Sequence, residues 1–553
     1  MKANVQHELG SSSEIAPALD QLRPWRAAAA AVIALALSLQ FYIVWRSSSR
    51  ELAMTPYLLD DAFIAATVSR NVSQGKGFSF DGEAPTTGVT PLWTLILAPI
   101  YAALDDELAL KVQIISSAVC AAWAIWLLFI ISLEFLPPLW ALCAAATCSF
   151  TAGMFFQALN GMDTWLFALL GLFILARYRQ LPQCRNSLRP WFVLGIAAAG
   201  LAWVRAEGAL LTLSIVVVEC LALIRRPRGR RATLRGLALL LLVAGVVATP
   251  VYYRNFRDTG TFGPANQVGR KFIADAVLPV APGVNGKVND VAARLGDVAG
   301  HLRILAGSAV LGLLGTVGLA ARGGRWSPPI AVLLLFTVAS TGLLAGYQRY
   351  VFDVHGLRYA VFPAMVFIAG VFRLILDCLH WWCPWTGRRA TAAAALLLTL
   401  AMVTHGWFAY NRMWRNVFWT SGRNVLPWRS SERERAQLFA PVDYVLAHLG
   451  PDARIAAKDN GLLAFYTRRP VLDLAGILDP QVIGHIQART LACYLVQRRV
   501  QFLALPNVLP SHYLCRALGM SGGDGPAAAV LVMGKGMVLI KFDEALCPER
   551  ARL

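Results

Sequence analysis

Three stretches of this chain, AAAAAVIALALSLQFYIVW (27–45), GLALLLLVAGVVATPVYY (236–253) and ATAAAALLLTLAMVTHGWF (390–408), are apolar over nearly the whole length needed to cross a bilayer. About 20 apolar residues in a helix cover the ~30 Å of hydrocarbon, where each backbone N–H and C=O must find its partner inside the segment. Runs of this kind fold as membrane helices. With 57% hydrophobic and 15% charged residues, against about 25% charged in soluble domains, the chain is excluded from the soluble enzymes. The first run is read as a retained anchor rather than a cleaved signal, because no small-residue cleavage motif follows it.

The formal net charge of +19 does not point to nucleic acid, because the basic residues sit in short segments between apolar runs rather than along one soluble face. Four connections are basic: RYRQLPQCRNSLR (177–189), RRPRGRRATLR (225–235), ARGGRW (321–326) and the WTGRR ending at Arg389. Short cytoplasmic loops carry the Lys/Arg excess. All four fall on one side if the helices are 27–45, 107–133, 139–157, 164–178, 191–205, 208–224, 236–253, 303–320, 328–346, 359–378 and 390–408, about eleven spans. That order requires PLWTLILAPIYAAL (91–104), about 14 residues, to lie in the interface rather than to cross. The expected organisation is an all-α polytopic membrane domain over 27–410 with a cytoplasmic tail at 1–26. A first periplasmic loop (46–106), the turns at 160–163 and 205–207, and the loops at 254–302 and 347–358 lie outside.

Residues 411–553 lose the membrane composition. Their short apolar runs RIAAKDNGLLAFYT, PVLDLAGIL, QFLALPN, AAAVLVMG and MVLIKF are bounded by Gly, Pro, Asp or Asn and predict a small periplasmic α/β domain. The ten cysteines contain no CxxC and no zinc spacing. Cys493, Cys515 and Cys547 fall in this oxidising region, where one disulfide is expected, with Cys515–Cys547 favoured.

The residues that can carry chemistry lie on the outer side. Asp60 and Asp61 precede an amphipathic stretch, Ala62 to Val72, that stops at Gly75 and Gly77. One carboxylate is expected to cap that helix. The other is then available as a general base or for a divalent cation. The LNGMD turn places Asp163 at a helix start, as an N-cap by the structural reading. Arg205 and Glu207 interrupt an apolar stretch, either paired with each other or facing a cavity. Arg254, Arg257, Arg270 and Lys271 in one loop, and Arg349, His355 and Arg358 in another, are cations against the orientation trend. They suit phosphate oxygens or anionic headgroups; Arg254, Arg270, Lys271 and Arg358 are the candidates for holding a phosphate, and His355 taken alone is read as structural.

The segments DDAFIAATVSRNVSQGKGFSFDGEAPTTGVTPLW, LNGMDTWLFALLGLF, VRAEGALL and AAKDNGLLAFYTRRPVLDLAGILDP resemble the GT-C superfamily of integral-membrane glycosyltransferases, in particular bacterial relatives of polyprenyl-phosphate-sugar-dependent mannosyl- and arabinofuranosyltransferases. The resemblance implies a first outer loop on interfacial helices bearing an acidic catalytic position, which Asp60 and Asp61 match. It implies transfer of a sugar from a polyprenyl-phosphate donor to a hydroxyl of a cell-envelope glycan or glycolipid, in a bacterial inner membrane. Asp163 stands where Glu is expected, and Ala206 where relatives often have Pro. Asp163, Arg205, Glu207 and His355 are then supporting or acceptor-side residues, and no cofactor is implied beyond a divalent ion on Asp60, Asp61 and Asp163. Two rival readings are a transporter or flippase of lipid-linked saccharides, against which no repeat between the halves is found, and an inactive scaffold with a periplasmic binding domain.

Overall fold

The computed structural model describes residues 12–181, 187–225, 230–260, 262–263, 309–321, 327–347, 357–383, 387–417, 432–458, 461–506, 518, 530–533 and 537–547. In chain order the helices are α1 (Ser12–Arg46), α2 (Ser49–Ala53), α3 (Asp60–Ser73), α4 (Pro91–Ala103), α5 (Asp106–Ser132), α6 (Pro138–Phe150), α7 (Ala152–Gln157) and α8 (Thr164–Gln180). They continue with α9 (Arg189–Val204), α10 (Gly208–Arg225), α11 (Arg230–Thr259), α12 (Ala309–Ala321), α13 (Ser327–Tyr347), α14 (Leu357–Trp382) and α15 (Arg388–Val417).

Five described helical segments are long and apolar enough to cross a membrane: Leu22–Arg46, Asp106–Ser132, Arg230–Asp258, Arg358–Trp382 and Arg388–Arg412. Shorter apolar helices, among them Pro138–Phe150, Arg189–Val204 and Gly208–Ile224, accompany them. The chain is a multi-pass membrane protein. The span in α14 is the most enclosed, 72% of its apolar window buried, and the one in α15 the most peripheral, at 17%. Enclosure is reached by small residues: a Cβ on Gly315 of α12 would run into the Gly370 backbone of α14, so these two helices touch backbone to backbone.

Helix starts follow their local sequence. Pro91 and Pro138 open α4 and α6 at positions that donate no helical hydrogen bond. Asp105 caps α5 by accepting the Leu108 N–H, with Asp106 and Glu107 in the first turn. The expected single helix over 139–157 is broken at Thr151, whose ψ of 127° leaves the helical region. The Phe150 carbonyl at the break accepts the Trp407 indole N–H at 2.9 Å, so the interruption is satisfied from α15. The 91–104 segment is a 13-residue helix, α4, packed on α3.

Beyond the membrane helices come α16 (Glu432–His448), β1 (Ile455–Ala457), α17 (Gly461–Thr467), β2 (Val471–Asp473), α18 (Gln481–Gln487), α19 (Leu491–Gln497), β3 (Phe502–Pro506), β4 (Val530–Met533) and β5 (Met537–Lys541). The sheet order is β2-β1-β3-β5-β4, parallel at β2-β1-β3 and antiparallel at β3-β5-β4. Each strand lies in one of the apolar runs quoted above. The disulfide differs from expectation. Cys547 pairs with Cys493 of α19, Cα atoms 4.7 Å apart, and both are buried in the same apolar cluster; Cys515 lies outside the described residues.

Candidate active site

The site starts from a helix whose first two residues are carboxylates. Leu59, extended at φ −84° and ψ 161°, precedes α3 without a side-chain cap, which places Asp60 and Asp61 in its first turn. Neither caps α3, contrary to expectation, and the two go to different partners. The Asp60 carboxylate accepts the backbone N–H of Gly461 and of Leu462, each at 2.8 Å. Asp61 Oδ2 accepts Arg358 Nη1 at 2.6 Å.

A buried polar network fixes this loop against the membrane helices. Gln113 of α5 donates to the Ala62 carbonyl (3.0 Å) and to the Gly161 carbonyl (2.8 Å), and accepts the Tyr101 hydroxyl of α4 (2.8 Å). Trp93 of α4 donates to the same Gly161 carbonyl at 3.1 Å. Gly161 sits at φ +66°, a left-handed position that suits glycine. One amide therefore ties α3, α4 and the 158–163 turn together, and with them the carboxylates Asp61 and Asp163.

Asp163 stands at the N-cap position of α8 but makes no capping bond. Its carboxylate is gripped by Arg205, Nε to Oδ2 at 2.6 Å and Nη2 to Oδ1 at 3.2 Å. Arg205 therefore pairs with Asp163 and not with Glu207, and it also donates to Thr164 Oγ1 and the Arg358 carbonyl. The Arg205 and Arg358 guanidiniums lie 5.0 Å and 5.1 Å from the Tyr359 ring centre, so the two ion pairs share an aromatic neighbour. Access separates them: the Asp61 side chain is 30% exposed and that of Asp163 2%.

Asp61, Asp163, Arg205, Glu207 and Arg358 line one cavity of about 1060 Å³, its open mouth included. Residues 87–91 of the first loop, Trp203, Tyr252 and Asn255 complete it on one side, and Ile477 and Leu478 of the C-terminal segment on another. Among the candidate phosphate ligands, Arg254 is absent from the lining. It donates to the Thr86 carbonyl at 2.6 Å and lies 4.3 Å from the Phe78 ring centre, so it holds the first loop from outside the cavity. Arg270, Lys271 and His355 lie outside the described residues. Among the described residues no group of three acidic, His or Cys side chains converges as a metal-ligand set, and Asp60, Asp61 and Asp163 point to three separate partners.

Nothing local in the sequence marks Trp93, Tyr101, Tyr359 or the Ile477–Leu478 pair as part of the site. Gln113 carried the only visible signal, an uncharged polar residue inside the apolar run of α5.

Residues 428–530 match a family model described as "Domain of unknown function (DUF8728)". No curated protein matches the chain in sequence. Among solved structures, ArnT from Cupriavidus metallidurans in the apo state superposes with a TM-score of 0.53 at 14% identity, over 93% of this chain and 98% of that one. The archaeal oligosaccharyltransferase AglB from Archaeoglobus fulgidus, in complex with an inhibitory peptide and a dolichol-phosphate, gives 0.52 at 13% identity, over 89% and 71%. At these identities the likeness concerns the fold.

Proposed function

From the GT-C fold that this chain shares with those membrane glycosyltransferases, we propose that it is an inverting glycosyltransferase acting on the periplasmic face of a bacterial inner membrane. It takes a sugar from a polyprenyl-phosphate donor and passes it to a hydroxyl of a cell-envelope glycan or glycolipid. The observation that carries the reading is Asp61: a partly exposed carboxylate, oriented by Arg358, in a cavity enclosed by the first outer loop, the membrane helices and the C-terminal segment. The neighbour's dolichol-phosphate supports a lipid-linked donor, and the side opposite the basic connections supports the periplasmic placement.

In this reading Asp61 accepts the proton of the acceptor hydroxyl as its oxygen attacks the anomeric carbon. The C–O bond to the carrier phosphate breaks with inversion, and the polyprenyl phosphate leaves with the electron pair. The leaving group needs charge stabilisation more than a proton. Arg358 lines the cavity and supplies it, with Arg270 and Lys271 as further candidates. Glu207 lines the cavity, and in this reading it accepts hydroxyl donors of the bound sugar.

The test is transfer in nanodiscs from a panel of polyprenyl-phosphate sugars to cell-envelope glycan acceptors, with the anomeric configuration of the product read by NMR. One donor consumed with inversion is the expected result. Labelled lipid-linked sugar crossing the bilayer without being consumed replaces the reading with a transporter.

A further inference from the structure

Consecutive helical residues are turned by about 100°, so Asp60 and Asp61 cannot serve the same place. Asp61 faces the cavity; Asp60 faces α17, holding its first two described amides. Ten residues on, Arg70 donates to the carbonyls of Phe465 (3.1 Å) and Ala464 (3.3 Å) near the other end of α17, while paired with Asp106 at 2.8 Å. A carboxylate thus meets the N–H end of α17 and a guanidinium its C=O end, both from α3, which is the polarity its peptide dipoles favour. The contact is tight: a Cβ on Gly461 would collide with the Asp60 carbonyl and approach Ile64 Cγ1 to 2.9 Å.

From α17 the chain runs through β2 into the 474–478 turn. There Asp473 accepts the N–H groups of Ala475 (2.9 Å) and Leu478 (2.7 Å). Thr86 of the first loop donates to the Leu478 carbonyl at 2.8 Å, and a Cβ on Gly88 would strike the Ile477 carbonyl. Ile477 and Leu478 are cavity wall.

We propose that Asp60 is a positioning residue: by clamping α17 it seats the Ile477–Leu478 turn as the wall that closes the Asp61 cavity. The kinetic half of this inference rests on the glycosyltransferase reading; the clamp itself does not. Releasing the clamp leaves the base in place but opens the cavity, so water competes with the acceptor. Water then attacks the anomeric carbon, its proton passes to Asp61, and free sugar and polyprenyl phosphate are the products.

Hydrogen exchange on the full chain in nanodiscs tests the clamp without substrate. In both Asp60→Ala and Gly461→Ala, amides of 461–462 and of 475–478 should exchange about tenfold faster, the scale of a lost capping carboxylate, with α5 unchanged. The double variant should be no worse than either single one, because both break one contact. Unchanged exchange at 475–478 overturns the proposal, and so does full additivity. With an active donor, both variants should raise the ratio of donor hydrolysis to transfer and the acceptor KM, whereas a Gly461→Ala enzyme with wild-type partitioning overturns the coupling. Absence of transfer by the wild type would instead sink the glycosyltransferase reading, and the exchange result would still decide the clamp.

Discussion

The two carboxylate–guanidinium pairs at the cavity are built from the same chemistry and differ in access. Asp163 is 2% exposed, held through both oxygens by Arg205, whose side chain is 8% exposed. Asp61 is 30% exposed and meets Arg358 through one oxygen. A buried pair with both partners satisfied holds structure together; a pair whose acid reaches the cavity can exchange a proton with a ligand. An acidic residue in such a loop is assigned by what else can reach it, not by its proximity to an arginine.

Neutralising each acid in turn separates the two pairs. Asp61→Asn should lower transfer by about 10²- to 10⁴-fold, the usual weight of a general base, with a smaller loss of thermal midpoint because the amide oxygen still accepts from the buried Arg358. Asp163→Ala should do the reverse in emphasis. It strands Arg205 in a buried site, at a cost of roughly 3–5 kcal/mol, read as a lower midpoint and a lower folded yield. Equal stability losses in the two variants would erase the distinction.

A third carboxylate, buried and bound by backbone amides, extends the contrast. Asp473 is held by backbone amides rather than gripped by a guanidinium, and its burial outweighs those donors and pushes it up to about 6. An acid raised in the folded state contributes its stability below its unfolded value, near pH 4, and loses it as pH rises through about 6. The wild type should therefore lose on the order of 3 kcal/mol from this group between those limits, and Asp473→Asn should flatten that part of the midpoint-versus-pH curve. A smaller effect belongs to Arg254. Because it binds the Thr86 carbonyl outside the cavity, Arg254→Ala should cost about 1 kcal/mol of first-loop stability, seen as faster limited proteolysis, with donor affinity unchanged.

Much of the helical membrane architecture was legible, because apolar run length is a local signal. The short helix at 91–104 follows from the length of its apolar run, and the five strands follow from short apolar runs between breakers. What escaped was set by contacts distant in sequence. Asp61 and Arg358 are 297 residues apart, and Asp60 and Gly461 401. No periodicity could say which neighbour of an aspartate pair turns to which partner. The preference for Cys515 over Cys493 failed likewise, since spacing cannot report that α19 packs beside the segment carrying Cys547. The break at Thr151 is hidden because Thr147 and Thr151 sit in an apolar run indistinguishable from its neighbours.

The most direct test of the central claim is the single-turnover transfer rate of Asp61→Asn beside Asp60→Asn, at matched folded protein and saturating donor. Asp61→Asn should lose about 10²- to 10⁴-fold in both transfer and donor hydrolysis, while Asp60→Asn keeps turning over with a raised acceptor KM. Full loss in Asp60→Asn with activity retained in Asp61→Asn would contradict the assignment of the base and the reading of the site built on it.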